Sequence, residues 1–169
     1  MTLTRPNALT ELTELADLTE LTELTELTEL TELTALLRWY ETLSPASLGD
    51  IARFYADDAR FKDPFNDVRG REAIRRIFAH MFVATDNPRF VIGEQFRKPG
   101  QAFVLWDFHF TLKGKPYQVH GSSHFRFGDD GRVTLHRDYW DAAQELWQQL
   151  PWLGPLVGWL RRRFATPLS

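Results

Sequence analysis

The sequence predicts an α+β fold, with helices first and an antiparallel meander after them. Three observations carry that expectation. Apolar residues recur at helical spacing from Leu36 to Phe82, and after Asn87-Pro88 they switch to alternation. The alternating runs are parted by the turn sequences Lys113-Gly114-Lys115-Pro116 and Gly128-Asp129-Asp130-Gly131. With 169 residues, 43% of them hydrophobic, the chain is long enough for one domain with a real core.

Composition narrows the function classes. The chain has no cysteine, which excludes disulfides and cysteine-ligated metals. No run of about 18 apolar residues suggests a membrane-spanning helix. The N-terminus lacks a basic region followed by an apolar stretch, so no signal peptide is read and the cytoplasm is the expected location. Charge is uneven. Residues 1–35 hold eight acids against Arg5, whereas the rest of the chain carries 19 basic and 15 acidic groups.

Residues 1–33 form a leader dominated by a Leu-Thr-Glu repeat, with leucine at every third position from Leu9 to Leu33. A period of three slips about 60° backwards around a helix at each repeat. The leucines therefore spiral, no apolar stripe forms, and the period is wrong for a coiled-coil seam. A frayed helix or a disordered arm is expected. The domain proper is read as 34–141. Its first helix places Leu36, Trp39, Tyr40 and Leu43 on one face. Ser44-Pro45-Ala46 breaks it, and Ser47 can cap a second helix over Leu48 to Tyr55 with Asp50 in a capping-box position. A short strand, 59–62, leads to an Asp-Pro turn, and a third helix spans about Arg71 to Phe82 with Ile74, Ile77 and Phe78 inward. Strands follow over 89–96, 102–112, 117–127 and 132–141. Trp106, Phe108 and Phe110 share one face of their strand, and His136, Asp138 and Trp140 share one face of theirs. The tail, 142–169, is apolar and aromatic and contains Arg161-Arg162-Arg163. A pair of helices closing the core is favoured over a helix lying on a membrane surface, because Pro151 and Pro155 interrupt it.

The stretch Arg60-Phe61-Lys62-Asp63-Pro64-Phe65 sets a carboxylate where an apolar segment ends. Proline forbids the run from continuing as helix or central strand. A carboxylate between apolar neighbours is poorly hydrated, the setting a general base needs. The alternative is that Asp63 only caps its turn, or pairs with Arg69.

The order of these elements resembles the NTF2-like superfamily, in its SnoaL-like and ketosteroid isomerase-like branch. The residues that carry the resemblance are 54–64 (Phe-Tyr-Ala-Asp-Asp-Ala-Arg-Phe-Lys-Asp-Pro), Gly70-Arg71-Glu72-Ala73-Ile74, His124-Phe125-Arg126-Phe127 with Gly131-Arg132-Val133, and Tyr139-Trp140-Asp141. It covers roughly 35–141. It implies a cone-shaped, curved antiparallel sheet packed around N-terminal helices, here with a C-terminal helical extension, and a ligand pocket inside the cone. It implies Asp63 as the base that moves a proton. The oxyanion-hole tyrosine and aspartate of ketosteroid isomerases, a pair that also serves as a general example of such a hole, are replaced by Trp39 and Ser123 in a gapless reading, which argues against steroid isomerisation. Tyr40 is one step off. The pocket implied is Trp39, Tyr55, Phe65, Trp106, Phe108, Phe110, Ser123 and Trp140, with His136 and Asp138 joining Asp63 as catalytic groups. The other reading pairs His136 and Asp138 with each other or with Arg137, without chemistry.

An apolar small molecule is the expected ligand, acted on by an isomerase, cyclase or dehydratase, or held by a non-catalytic binder. Neither cofactor nor metal is expected. Strand alternation puts His109, His120 and His124 on the outer sheet face, where the resemblance implies a homodimer contact, and His80 is read as a surface residue. Nucleic-acid binding lacks a basic stripe with aromatic platforms. Gly121-Ser122-Ser123 is no nucleophile elbow.

Overall fold

The computed structural model describes residues 8–145, 155 and 157–159. The Leu-Thr-Glu repeat belongs to one continuous helix, α1 (Ala8–Glu41, 34 residues), which crosses the expected domain boundary without a break. Thr22, Thr25, Thr28, Thr31 and Thr34 each donate Oγ1–H to the carbonyl four residues back, at 2.8–2.9 Å, so the threonines bond to the helix itself. The leucines grade from exposed to buried along the helix. Leu18, Leu21, Leu24 and Leu27 are 55–62% exposed, whereas Leu33 and Leu36, which reach the domain, are 1% exposed.

The second helix differs from its sequence reading. A 3-10 turn, Ser47–Asp50, precedes a single α-helical turn, α2 (Ile51–Phe54), and Tyr55 already belongs to a strand. Ser47 caps nothing in that helix, because its hydroxyl bonds the Ser44 backbone, accepting from N–H at 2.9 Å and donating to the carbonyl at 3.2 Å. After β1 (Tyr55–Lys62) and β2 (Asp67–Arg69) comes α3 (Arg71–Ala84), with Ile74 and Phe78 buried as expected. Three strands of the meander are longer than their alternation suggested, β3 (Asp86–Lys98), β4 (Gln101–Leu112) and β5 (Lys115–Phe127), and the last, β6 (Val133–Tyr139), is shorter than the expected 132–141. The β4–β5 hairpin turns on Lys113-Gly114, both with positive φ, the geometry of a tight two-residue hairpin.

The six strands lie in the order β2-β1-β6-β5-β4-β3, in a curved sheet that does not close. All neighbours are antiparallel except β1 and β6, which run parallel and set Phe61 beside His136. Register shifts in β3 at Asp86/Arg89 and Ile92/Gln95 mark irregularities of the kind that bend a strand. The main core gathers Leu33, Leu36, Trp39, Tyr55, Phe61 and Phe125 between helices and sheet. A second cluster holds Trp106, Phe110, Tyr117 and Val119. The short helix α4 (Ala142–Glu145) follows β6. The tail residues Trp147, Leu150, Trp152, Leu153, Leu156, Leu160 and Phe164, with Arg161 to Arg163, lie outside the described residues. Among the described residues no helix is long and apolar enough to cross a membrane.

Candidate functional site

A row of polar side chains runs through the apolar interior from one cluster to the other. α1 supplies Tyr40, β1 Tyr55, β6 His136 and Asp138, β5 Ser123 and β4 Trp106. The Tyr40 and Tyr55 hydroxyls are hydrogen-bonded. His136 Nδ1 lies 2.7 Å from the Tyr55 hydroxyl and 3.2 Å from that of Tyr40. On the other edge of the ring, Nε2 lies 2.7 Å from Asp138 Oδ1 and 3.2 Å from Ser123 Oγ. Ser123 donates to the same Asp138 oxygen at 2.5 Å, and the Trp106 indole donates to Ser123 Oγ at 2.8 Å.

Counting donors assigns the protons. Nε2 faces an acceptor, so it carries hydrogen and Nδ1 is bare. Tyr40 then donates to Tyr55, Tyr55 to Nδ1, Nε2–H to Asp138, Ser123 to Asp138 and Trp106 to Ser123. Every donor has an acceptor. With hydrogen on Nδ1 as well, one phenolic hydrogen would be left buried without an acceptor, which costs about 1–3 kcal/mol. Burial above all pushes both phenols well above the ordinary tyrosine range, and for Tyr40 the neighbouring Tyr55 adds to it. Both remain neutral donors near pH 7.

His136 is 2% exposed, and the Asp138 side chain 16%. Asp138 Oδ1 takes both donors, while Oδ2 makes no hydrogen bond among the described residues. The row borders a cavity of about 20 Å³, lined by Tyr40, Trp106, Ser123, His136 and Asp138 and walled by apolar side chains such as Phe90 and Phe125. That is room for one water. A much larger cleft, about 520 Å³, lies elsewhere, between α1 and the β3–β4 turn.

The residues singled out in the sequence fall into three groups. His136, Asp138, Ser123, Trp106 and Tyr55 come together in the row. Phe108, Phe110 and Trp140 belong to the second cluster, where Phe108 and Phe110 stack at 5.2 Å, and Phe65, 55% exposed, meets Trp140 edge-on at 5.3 Å. Trp39 and Asp63 stand apart from the cavity lining. Trp39 is a core residue stacked on Phe54, and its indole N–H is given to the Ser47 carbonyl at 3.0 Å. The Asp63 carboxylate is wrapped by its own turn. Oδ1 accepts from the amides of Phe65 (2.7 Å) and Asn66 (2.5 Å), and the Asn66 side-chain amide reaches both oxygens. Arg69 pairs with Asp58 at 2.8 Å, not with Asp63.

Tyr40 is the member that the sequence reading missed, although it lay on the apolar face of the predicted helix. Phe90, Ile92 and Val104, at alternate positions of their strands, wall the cavity with Leu37, Phe78 and Phe125. On the outer sheet face His120 pairs with Asp107 at 2.9 Å, and His124 stacks on Phe103 at 4.4 Å. Among the described residues no group of three His, Asp or Glu side chains could hold a metal ion.

A model of the SnoaL-like domain matches residues 36–136. No curated protein matches the chain. Among solved structures, a protein of ketosteroid isomerase-like fold from Catenulispora acidiphila, in complex with trimethylamine, superposes with a TM-score of 0.58 at 17% identity, over 66% of this chain and 88% of its own. An LEH-like epoxide hydrolase of M. tuberculosis gives a TM-score of 0.57 at 17% identity, over 80% of this chain and 94% of its own. A protein described as a SnoaL-like polyketide cyclase, from Shewanella putrefaciens, gives 0.58 at 16% identity, over 69% and 93%. At such identities the structural likeness establishes the fold alone.

Proposed function

The chain belongs to the SnoaL-like domain family, and from that premise we propose that it binds an apolar small molecule with an acidic C–H bond and shifts a proton on it, as an isomerase, cyclase or dehydratase does. One observation carries the choice of residues. Asp138 is held through Oδ1 by two donors, its Oδ2 makes no hydrogen bond among the described residues, and the residue lines an apolar cavity together with Tyr40. In this reading Oδ2 takes the proton from carbon. His136 fixes the carboxylate, and the Tyr40 hydroxyl, turned from Tyr55 to the ligand, meets the oxygen on which charge develops. Proton transfer of this kind needs no cofactor. A substrate larger than one water enters by displacing the partly buried wall side chains Phe90 and Ile92, which pack against the second cluster.

The family resemblance gives the base to Asp63, and experiment separates the two carboxylates. Incorporation of solvent deuterium α to the carbonyl of 2-tetralone, followed by NMR, should be accelerated by the protein. Asp138→Asn should lose about 100-fold or more of that acceleration, and Asp63→Asn should keep most of it. The reverse pattern gives the base to Asp63. No acceleration by the native chain favours the non-catalytic binder, a reading supported by the pairing of every donor within the row.

Three further expectations belong to the same proposal. The chain forms a homodimer through the outer sheet face, where Phe96 and Phe103 are 58% and 42% exposed. A monomer by light scattering at micromolar concentration would count against it. The leader 1–33 and the tail 142–169 are accessory to a catalytic domain spanning 34–141. The protein works in the cytoplasm.

A further inference from the structure

The 520 Å³ cleft between α1 and the β3–β4 turn has the size of a small-molecule site, unlike the cavity at the polar row. Its wall combines two features. Leu27, Leu30 and Leu33 form one side, grading from 60% through 37% to 1% exposed, and Ala102 and Phe127 extend the apolar surface on the sheet side. Arg97 and Lys98 stand at the end of β3, and the ion pairs among the described residues use other cations. Gln101 also lines the cleft, but its carbonyl oxygen is engaged with His124 at 3.1 Å. Among the described residues Glu23 is the one acid on the wall.

We propose that this cleft binds a single-chain amphiphile with an anionic head, a free fatty carboxylate, its chain along Leu27, Leu30 and Leu33 and its head at Arg97 and Lys98. The two cations complement the head. The leucine period selects the rest of the ligand. Leucines three residues apart turn about 60° backwards at each step, so a second helix laid on α1 would lose them within two turns, whereas a flexible acyl chain can follow the spiral. From Glu23 to Leu33 the helix rises about 15 Å, the scale of a medium-length chain. The proposal is independent of the proton-transfer reading.

Calorimetry on the full chain tests it, with dodecanoate below its micellar concentration as the probe. One molecule should bind per chain. The double charge reversal Arg97→Glu/Lys98→Glu should weaken binding at least tenfold, dodecan-1-ol should bind more weakly and be indifferent to that reversal, and Leu27→Asn should weaken both ligands severalfold. Circular dichroism confirms the fold of each variant, and Leu27→Asn, at an exposed helix position, serves if the double variant fails to fold. Dodecanoate affinity unaffected by the charge reversal would mean that the ligand sits elsewhere and overturns the proposal. So would binding to anionic vesicles without binding of the free acid, or self-association through α1 that dodecanoate does not dissociate.

Discussion

Replacing Gly121 by alanine should disturb the buried row without touching any of its polar groups. Gly121 lies in β5 opposite Trp106, and the indole is seated directly on it. A Cβ built there would come within 2.4, 2.6 and 2.9 Å of three atoms of the six-membered ring, closer than side chains tolerate. The indole has little freedom to yield. It is 7% exposed, its Nε1–H is tied to Ser123, and Phe90 stands edge-on at 5.7 Å. Overpacking of this kind costs about 1–3 kcal/mol, and loss of the Trp106–Ser123 bond adds about 0.5–1.5 kcal/mol. Together about 2–4 kcal/mol is expected, a fall in Tm of roughly 5–15 °C for a chain of this length. Urea unfolding followed by circular dichroism measures the cost, and repeating it in a Trp106→Leu background isolates the cause. There the added methyl should cost less than about 1 kcal/mol, a coupling of at least that size between the two positions. A cost below about 0.5 kcal/mol in the native background, or an equal cost in both, would refute the steric argument.

Three other perturbations follow from the same contacts. Leu33→Ala should cost about 2–5 kcal/mol by urea unfolding, whereas Leu21→Ala, at a 62% exposed position, should stay within about 0.5 kcal/mol. Because burial raises Tyr40 and Tyr55 above their unfolded value near 10, the folded state keeps protons that the unfolded chain releases at high pH. Their stabilisation should be intact below about pH 10 and fall above it by up to about 1.4 kcal/mol per pH unit for each tyrosine; Tyr55→Phe should flatten that limb in a pH series of thermal melts. Asp63→Asn removes the charge that collects two backbone amides and the Asn66 side chain, and a loss of about 1 kcal/mol or more in melts at neutral pH marks its role in the turn.

Strand alternation and turn chemistry are local, which is why β4, β5 and their hairpin could be read from the residues, and why His136, Asp138 and Trp106 could be set on the inner face. The turn-capping alternative for Asp63 was visible for the same reason, since an aspartate ahead of proline with amides just beyond it is a local pattern. Tyr40 was not. Adjacent positions of a helix differ by about 100°, and whether Trp39 or Tyr40 meets His136 depends on the rotation of α1 against the sheet. The parallel β1–β6 pairing that brings Phe61 and Tyr55 to His136 joins segments 75 or more positions apart and leaves no mark on local periodicity. The leader could not be read as a continuous helix from propensity alone, because threonine opposes what leucine and glutamate favour; the helix is continued from a buried end at Leu33 and Leu36. The Ser44–Ser47 bonds, which replace the expected helix cap, satisfy the same residues by a different local pairing.

All of the proposed chemistry depends on the proton order along the buried row, with hydrogen on His136 Nε2 facing Asp138 and a bare Nδ1 accepting from Tyr55. Two-bond ¹H–¹⁵N correlation spectra of histidine-labelled protein at pH 7.5, with His136 assigned from a His136→Gln variant, read that order directly. A pyridine-like Nδ1 and a pyrrole-like Nε2 are expected. A proton on Nδ1 alone would leave a bare Nε2 that must accept from a protonated Asp138, and so take the carboxylate out of the role given to it.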